Sequence, residues 1–495
     1  MEFVYIFFIL TLAFVALCVL YKLKPKPLDP DSLTHEEIKK VRSKFNHPDV
    51  DGVCYGFTLN WAQDVAQGNE EQFYQKLSAM RLHRADLPSA LKGIGYKEAS
   101  NQELTSEEEV TKTLPDLFEK ISIAQDPDDY REKYGALIRQ PDISTILSKI
   151  NTESTPAKHV FYKTHTFANK SEAIKYFDFL RSLGLKEHVA VVISTADHAM
   201  GFKRLGDQWL FIDINKLYKQ NKEIPYFKVS ASELVDILYD SSFDDNIQSR
   251  LTVNTDFISA QDEPYLLAGL KNAFPVFPLG SKISYKDKID LFKLAAIQGD
   301  MVTVKKCLNA GLSVFSKKPL DDNSPILKAI DQGRRDVFAA MIRSSPNRLN
   351  QKRKSDGATL LHLACKKGGN GIVEELVQFK RLNVDAQDFN GMTPLMYACR
   401  LSIYTNDAQL IQLMLDRGAS LTIKDKKGLT ALDHAQETGH KIAEGLLVEK
   451  LNEHKTHDLG ERGKHTSGRH FTFFNAKINE QSIPSSPLNA GPANS

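Results

Sequence analysis

The sequence predicts a transmembrane helix at the N-terminus, then an α+β domain, then an all-α solenoid of repeated helix pairs. Three observations predict this fold class. The segment from Phe3 to Leu20 carries no charge and is almost entirely apolar. Helical patterns precede short β-branched strands between about residues 31 and 275. Beyond that point a nine-residue pattern recurs at a spacing close to 34 residues, which is typical of a repeat protein.

The apolar segment of 18 residues would extend about 27 Å as a helix, which approaches the roughly 30 Å hydrocarbon core of a bilayer. Tyr21, Lys22 and two further lysines follow it. This aromatic and basic flank indicates a membrane anchor over residues 1–24, with the following chain in the cytosol. A cleaved signal peptide is an alternative, although that would require a basic start, and here the chain starts Met-Glu-Phe and the positive charge lies after the apolar segment. A buried helix of a globular domain is a second alternative.

The composition excludes several classes of function. The chain of 495 residues has a net charge of only +2, so its charge balance gives no reason to expect nucleic-acid binding. An odd, scattered set of cysteines favours neither a disulfide framework nor a zinc site: Cys18, Cys54, Cys307, Cys365 and Cys399. Motifs for nucleotide binding and for zinc proteases are absent from the sequence. We therefore expect no cofactor, no metal, and a reducing compartment for the main body.

Residues 25–280 are assigned to one α+β domain. "SEAIKYFDFLRSLG" (171–184) has the period of an amphipathic helix that ends at glycine, whereas "HVAVVIST" (188–195) has the pattern of a buried strand. "HAMGFKR" and "QWLFIDI" flank Leu205-Gly206-Asp207 and predict a β-hairpin. His159, His165 and His188 lie in or near the starts of elements and are expected to be surface or core residues rather than functional ones.

The repeated pattern defines the second half of the chain. "DGATLLHLA" (356–364), "NGMTPLMYA" (390–398) and "KGLTALDHA" (427–435) align, and "DNSPILKAI" (322–330) is a fainter copy. These copies resemble the ankyrin repeat, and about five of them cover residues 286–450. The resemblance implies that Thr359, Thr393, Thr430 and His362 are structural. It also implies an elongated concave surface that binds a protein partner.

The tail at 451–495 is rich in Ser, Asn, Gly and Pro beyond its first residues and is expected to be disordered.

The segment "DGVCYGFTLNWAQD" (51–64) raises a question about Cys54. If residues 54–67 form a helix, then Phe57, Trp61 and Val65 share one buried stripe. Cys54 then lies in the first turn, where the helix dipole favours a thiolate. From this segment alone, a buried structural cysteine is the favoured interpretation.

A thiol nucleophile needs a base, and His198 is the best candidate. If the hairpin loop near Gly206 has two or four residues, His198 pairs with Asn215 or Asp213. In both registers the three side chains project from the same face, because side chains alternate along a strand. Asp213 can then orient the imidazole. A loop of three residues would remove this geometry.

Together the motifs resemble the YopT-type cysteine proteases that pathogenic bacteria inject into host cells. "GVCYGFTLNW", "DHAMGF" and "WLFIDIN" follow the order and spacing of that family's motifs, over about residues 45–230. The resemblance implies a papain-like fold in which Cys54 is the nucleophile, His198 the base and then the acid, and Asp213 the orienting residue.

The same resemblance implies an oxyanion hole made by the Cys54 backbone N–H and an upstream polar side chain. Asn46 is the candidate for that side chain, and Asn215 is a candidate for a supporting role beside the triad. Trp61 and Trp209 are both expected where the two halves of the papain-like core meet.

These features predict a bacterial effector, secreted into a host cell and anchored to a host membrane with its main body in the cytosol. We expect it to cleave a host protein and to recognise a host partner through its ankyrin repeats, without binding nucleic acid. Two alternatives stay open. The same triad supports deamidation, transglutamination or acyl transfer, and an inactive domain would leave a membrane-tethered ankyrin scaffold.

Overall fold

The computed structural model describes residues 33–45, 47, 52–134, 138–140, 142–151, 153, 155–195, 198–242, 250–273, 284–315, 320–401 and 407–462. The predicted anchor at 1–24, the candidate Asn46 and the tail beyond residue 462 lie outside these residues. Within the described part of the chain, no helix is both long and apolar enough to cross a membrane.

The first half of the α+β region is helical. Its first helix begins at a capping box, in which Thr34 and Glu37 satisfy each other's backbone N–H groups. The described helices of this half are His35–Arg42, Cys54–Gln67, Glu70–His83, Leu87–Ala99, Ser106–Lys112, Leu114–Gln125, Arg131–Tyr134 and Ile143–Ile150, with 3₁₀ turns at Ser43–Phe45 and Pro127–Tyr130.

The second half contains an antiparallel sheet. Its described strands are β1 Lys158–Phe167, β2 Ala190–Ser194, β3 Ala199–Leu205, β4 Gln208–Ile212, β5 Phe227–Val229 and β6 Leu251–Ser259. They are arranged in the order β1-β6-β2-β3-β4-β5. Leu205 pairs with Gln208, so the β3–β4 hairpin has a two-residue loop, one of the two lengths that put His198 and Asp213 on one face. Gly206 in this loop has a φ of 58°, which favours glycine.

Both faces of the sheet are covered by helices. Lys170–Ser182, Ala231–Ser242 and Pro264–Ala273 pack on one face. The helical first half covers the other face, and the helix Cys54–Gln67 is central to that second core. The layered α+β class predicted from the sequence is therefore observed.

The two tryptophans lie in different cores. Trp61 packs in the core between the sheet and the helical half, as expected. Trp209 lies on the opposite face, edge-on to Phe177 and Phe202 with ring centroids 5.8 and 5.6 Å away. The prediction for Trp209 was wrong because its strand position, two residues from Phe211, points it away from the helical half.

The repeat region consists of helix pairs that share one continuous core. The first helix has 14 residues in the first pair and six or seven in the other pairs, and each second helix packs behind it, as in a stacked array. The five pairs in the described residues are Tyr285–Gln298 with Met301–Asn309, Pro325–Asp331 with Arg335–Ser344, Leu360–Lys366 with Asn370–Val377, Pro394–Cys399 with Asp407–Asp416, and Ala431–Glu437 with Lys441–Arg462.

The residues of the repeated motif are structural, as predicted. Thr359, Thr393 and Thr430 are the N-caps of the first helices of their pairs. His362 Nδ1 lies 2.8 Å from the Thr359 hydroxyl, and His362 Nε2 donates to the Met392 carbonyl of the next turn at 3.0 Å. These contacts link each turn to its helix and to the following repeat.

The last helix, Lys441–Arg462, continues past the position at which the disordered tail was expected to begin. Residues 451–462 are thus helical. The chain divides into two compact units, Met1–Leu447 and Val448–Ser495, so the α+β region and nearly all of the repeat region belong to the same unit.

The first helix pair docks on strands β1 and β6 through buried charges. Lys163 Nζ on β1 lies 2.8 Å from an Asp300 carboxylate oxygen and 3.2 Å from the Thr303 hydroxyl. Burial alone would raise the pKa of Asp300, but the Lys163 ammonium and Thr303 hold that pKa below its ordinary value of 3.8. A second ion pair joins Arg250 to Asp287 at 3.0 Å.

We expect Lys163→Ala to lower the free energy of unfolding by about 3 kcal/mol near neutral pH, because it leaves a buried carboxylate without its cation. Since the pKa of Asp300 is lowered on folding, the contribution of this pair is full above about pH 4 and is lost as the pH falls through the lowered value. Urea denaturation at pH 7 and in acid measures both effects. Lys158→Ala is the matched control, because its ion pair with Asp262 is exposed. An equal loss in both variants would contradict the prediction.

Candidate active site

The helix Cys54–Gln67, called the cysteine helix below, begins at the predicted nucleophile. Phe57, Trp61 and Val65 are buried along one stripe, as predicted from their spacing. Gly68 ends the helix in a left-handed conformation with a φ of 79°. Cys54 is therefore fixed at the first turn of a rigidly packed element.

Cys54 differs from the other cysteines that the structure describes. It is partly exposed, whereas Cys307, Cys365 and Cys399 are buried in the repeat region. Burial raises the pKa of Cys307 and of Cys399 to about 12 and holds that of Cys365 well above its usual range. Among the described thiols, Cys54 is the accessible one.

Two glycines let the cysteine helix approach its neighbours closely. A Cβ atom on Gly56 would overlap the backbone carbonyl of Ile121 in the helix Leu114–Gln125. A Cβ atom on Gly201 in β3 would overlap the Trp61 ring. The cysteine helix is thus held between another helix and the strand that follows His198, which sets the distance between the thiol and the imidazole.

His198 precedes β3 and Asp213 follows β4, so the hairpin brings them to one end of the sheet. His198 Nε2 lies 2.8 Å from an Asp213 carboxylate oxygen. The Asp213 carboxylate is fully buried. It also accepts hydrogen bonds from the Asn215 backbone N–H and from the Ser241 hydroxyl, each at 2.9 Å.

His198 and Asp213 shift each other's pKa in the direction that favours the charged form of each. Burial would lower the pKa of His198, but the hydrogen bond to Asp213 and the nearby Cys54 thiol outweigh it and raise that pKa to about 9. Burial would raise the pKa of Asp213, but the hydrogen bond from His198, together with those from Asn215 and Ser241, lowers it. Because Nε2 is bonded to Asp213, Nδ1 is the imidazole nitrogen left to exchange a proton with Cys54. The structure therefore brings the three predicted triad residues together.

Of the two supporting residues suggested by the resemblance, the structure describes only Asn215. Asn46 lies outside the described residues. The Asn215 side chain is exposed, and the described contact of this residue with Asp213 is made by its backbone N–H. An asparagine two residues after the acid thus acts through the turn it occupies and not through its amide group.

Gln125 is a site residue that was not predicted from the sequence. Its side-chain oxygen accepts the backbone N–H groups of Tyr55 and Gly56, at 3.1 and 3.0 Å, in the first turn of the cysteine helix. These two bonds use only the side-chain oxygen, so the amide nitrogen can donate a hydrogen bond to another group. Gln125 lines the same cleft as Cys54. Gln125 lies 71 residues after Cys54, so only the tertiary packing of two helices reveals it.

His35 also supports the site and was not anticipated. Its Nε2 accepts the backbone N–H of Val53, the N-cap of the cysteine helix, at 3.0 Å. Burial lowers the pKa of His35, which favours the neutral ring that can accept this bond. His35 therefore fixes the chain just before Cys54.

The three other histidines considered in the sequence, which were expected to be surface or core residues, have partners outside the triad. His159 and His188 pair with Asp256 and Glu263, at 2.9 and 2.7 Å. His165 is buried beside Thr255, and burial lowers its pKa to about 3.

Cys54 opens into a cleft of about 250 Å³. Tyr55 and Ser194 line this cleft, and their hydroxyl oxygens are buried without a hydrogen-bond partner among the described residues. Most of the remaining wall is polar, and it is formed by both the α+β region and the repeat region: Gln125, Gln140, Thr195, His198, Ala199, Ile297, Gln298, Lys328, Asp331 and Gln332.

Comparison with known proteins identifies the repeat region. Residues 326–425 and 361–458 match the family model of ankyrin repeats. A transient receptor potential cation channel of Homo sapiens, subfamily A member 1, is 30% identical over 189 residues, which is 38% of this chain and 16% of that protein.

Two proteins of Arabidopsis thaliana are also similar. The E3 ubiquitin-protein ligase KEG is 26% identical over 133 residues, covering 26% of this chain and 8% of the ligase. An ADP-ribosylation factor GTPase-activating protein is 35% identical over 92 residues, covering 19% of this chain and 11% of that protein. The chain spans less than a fifth of the length of each of these three relatives. The repeat region from 326 to 458 consists of ankyrin repeats.

Proposed function

We propose that residues 25–280 form a papain-like cysteine protease of the YopT type. The observation that carries the proposal is that Asp213 holds the His198 imidazole at 2.8 Å, while His198 and Cys54 line the same cleft and the thiol lies at the start of a buried helix. Nucleophile, base and orienting acid in hydrogen-bond contact are the requirements of thiol acyl transfer.

In the proposed reaction, His198 Nδ1 holds the thiol proton and the Cys54 thiolate attacks a peptide carbonyl. The tetrahedral intermediate collapses as His198 gives that proton to the leaving amine, the C–N bond breaks, and a thioester remains on Cys54. Water then attacks the thioester, with His198 accepting its proton, and the free acid and the thiol are regenerated. Asp213 keeps the imidazole in the tautomer and orientation that these steps need.

The oxyanion hole combines the Cys54 backbone N–H with the Gln125 side-chain amide. Two backbone N–H groups hold the Gln125 oxygen and so orient its NH₂ group, and Gln125 lines the same cleft as Cys54. Such preorganised donors stabilise developing negative charge without reorganisation. We propose Gln125 for the role that the resemblance suggested for Asn46.

The remaining parts define the context of the reaction. Ankyrin repeats mediate protein–protein contacts in many proteins, and we propose that they bring a host protein to the enzyme. We further propose that residues 1–24 anchor this bacterial effector to a host membrane, as the apolar segment and its lysines suggest.

A proteome-derived peptide library tests the reaction type. Incubation with the full-length protein followed by mass spectrometry should reveal new peptide termini. Deamidation without new termini would support the alternative that water attacks a glutamine thioester. An unchanged library, together with no labelling of Cys54 by a thiol-directed activity probe, would support the inactive scaffold.

A further inference from the structure

We infer that the first two ankyrin helix pairs form one wall of the catalytic cleft and select the polypeptide segment beside the scissile bond. The inference rests on the proposed protease function and names the residues that determine its substrate preference. The repeat array would then have two roles, with its leading pairs inside the active site and its later pairs free for a protein partner.

The position of the wall is the first observation. Ile297 and Gln298 end the first helix of the first pair, and Lys328 and Asp331 lie on the first helix of the second pair. All four line the same cleft as Cys54 and His198. A substrate segment that reaches the thiol must therefore pass along the repeats.

Hydrogen bonds hold the repeat wall of the cleft against the α+β region. Arg139 from the α+β region is buried and donates to the backbone carbonyls of Asp331 and Lys367, the second at 2.8 Å. Arg334, from the repeat region, donates to the Asp142 carboxylate of the α+β region at 2.9 Å. It also donates to the Ile297 carbonyl within the repeat region at 3.0 Å. These contacts hold the ends of the first helices at a set distance from the triad.

The side chains on the repeat wall indicate which substrates fit. In the part of the chain that the structure describes, no ion pair is formed by the Lys328 ammonium or by the Asp331 carboxylate. The cleft, at about 250 Å³, is smaller than the roughly 300–1,000 Å³ of a typical ligand site, so it admits a short segment. The substrate is thus a polypeptide with charged side chains near the cleavage point, an acidic one facing Lys328 and a basic one facing Asp331.

Charge reversal in the full-length protein tests this inference. Cleavage preferences are measured with the same proteome-derived library, followed by kcat/KM for peptides that carry an acidic, neutral or basic side chain at each position. Lys328→Glu should shift the ratio of acidic to basic substrates at one position by at least tenfold toward basic. Asp331→Lys should shift another position in the opposite direction. Lys305→Glu is the matched control, because that lysine is exposed on the same repeat region and lies outside the cleft wall.

The outcomes separate the inference from the proposed function. Cleavage that depends on Cys54 but has the same preferences in both variants, within twofold of the unmodified protein, would overturn the inference alone. If the unmodified protein leaves the library uncut, the proposed protease function fails and the inference fails with it. Lys328→Gln, which removes the charge but keeps a polar side chain, should abolish the acidic preference even if the reversed charge impairs folding.

Discussion

Cys54→Ala is expected to abolish peptide-bond hydrolysis, with kcat falling by about 10⁶-fold. The thiol supplies the bond that holds the acyl group, and no other described cysteine can replace it because the others are buried in the repeat region. Hydrolysis of a peptide found in the library assay, followed by chromatography, measures the effect.

Cys307→Ala is the control for this prediction. Cys307 is buried in the core of the repeat region, so its loss tests general damage to the chain and not the chemistry. Activity within a few-fold of the unmodified protein is expected. Loss of activity in the Cys307 variant together with full activity in the Cys54 variant would contradict the assignment of the nucleophile.

Asp213→Asn is expected to lower kcat by about 10²-fold with little change in KM. An amide oxygen can still accept from His198 Nε2, but the amide carries no charge and cannot stabilise the imidazolium that pairs with the thiolate. Since the hydrogen bond to Asp213 helps to raise the pKa of His198 to about 9, the alkaline limb of the pH–activity profile should move to lower pH.

Ser241→Ala is the matched control for Asp213. It removes one hydrogen bond to the same carboxylate but leaves the charge in place, so its effect on kcat should be about tenfold or less. Equal losses in the two variants, with no movement of the alkaline limb, would show that Asp213 acts only by supporting the local packing.

The sequence was sufficient where local periodicity decides the structure. The helix 54–67 and its buried stripe were predicted because a helical pattern extends over consecutive residues. The hairpin was predicted for the same reason, and its two-residue loop puts His198 and Asp213 on one face because side chains alternate along a strand. The ankyrin repeats were recognised because one pattern returns at a nearly constant interval.

The sequence was insufficient where distant segments meet. Gln125 and Ser241 contact the site only because separate helices pack against it, and no local pattern marks them. Trp209 was placed in the wrong core because the sequence does not define which face of the sheet the helical half covers. The docking of the repeats on the α+β region also involves single ion pairs, such as Lys163 with Asp300, that have no signature in the sequence.

The pH dependence of Cys54 alkylation tests the central claim most directly, because it requires no knowledge of the substrate. Iodoacetamide labelling of Cys54 is followed by mass spectrometry from about pH 5 to 10 in the unmodified protein and in His198→Ala. With the pKa of His198 near 9, the imidazolium stays charged at about pH 6 and stabilises a thiolate. The account predicts labelling at that pH that is at least tenfold faster in the unmodified protein than in His198→Ala. Identical rates in the two proteins across this range would contradict it.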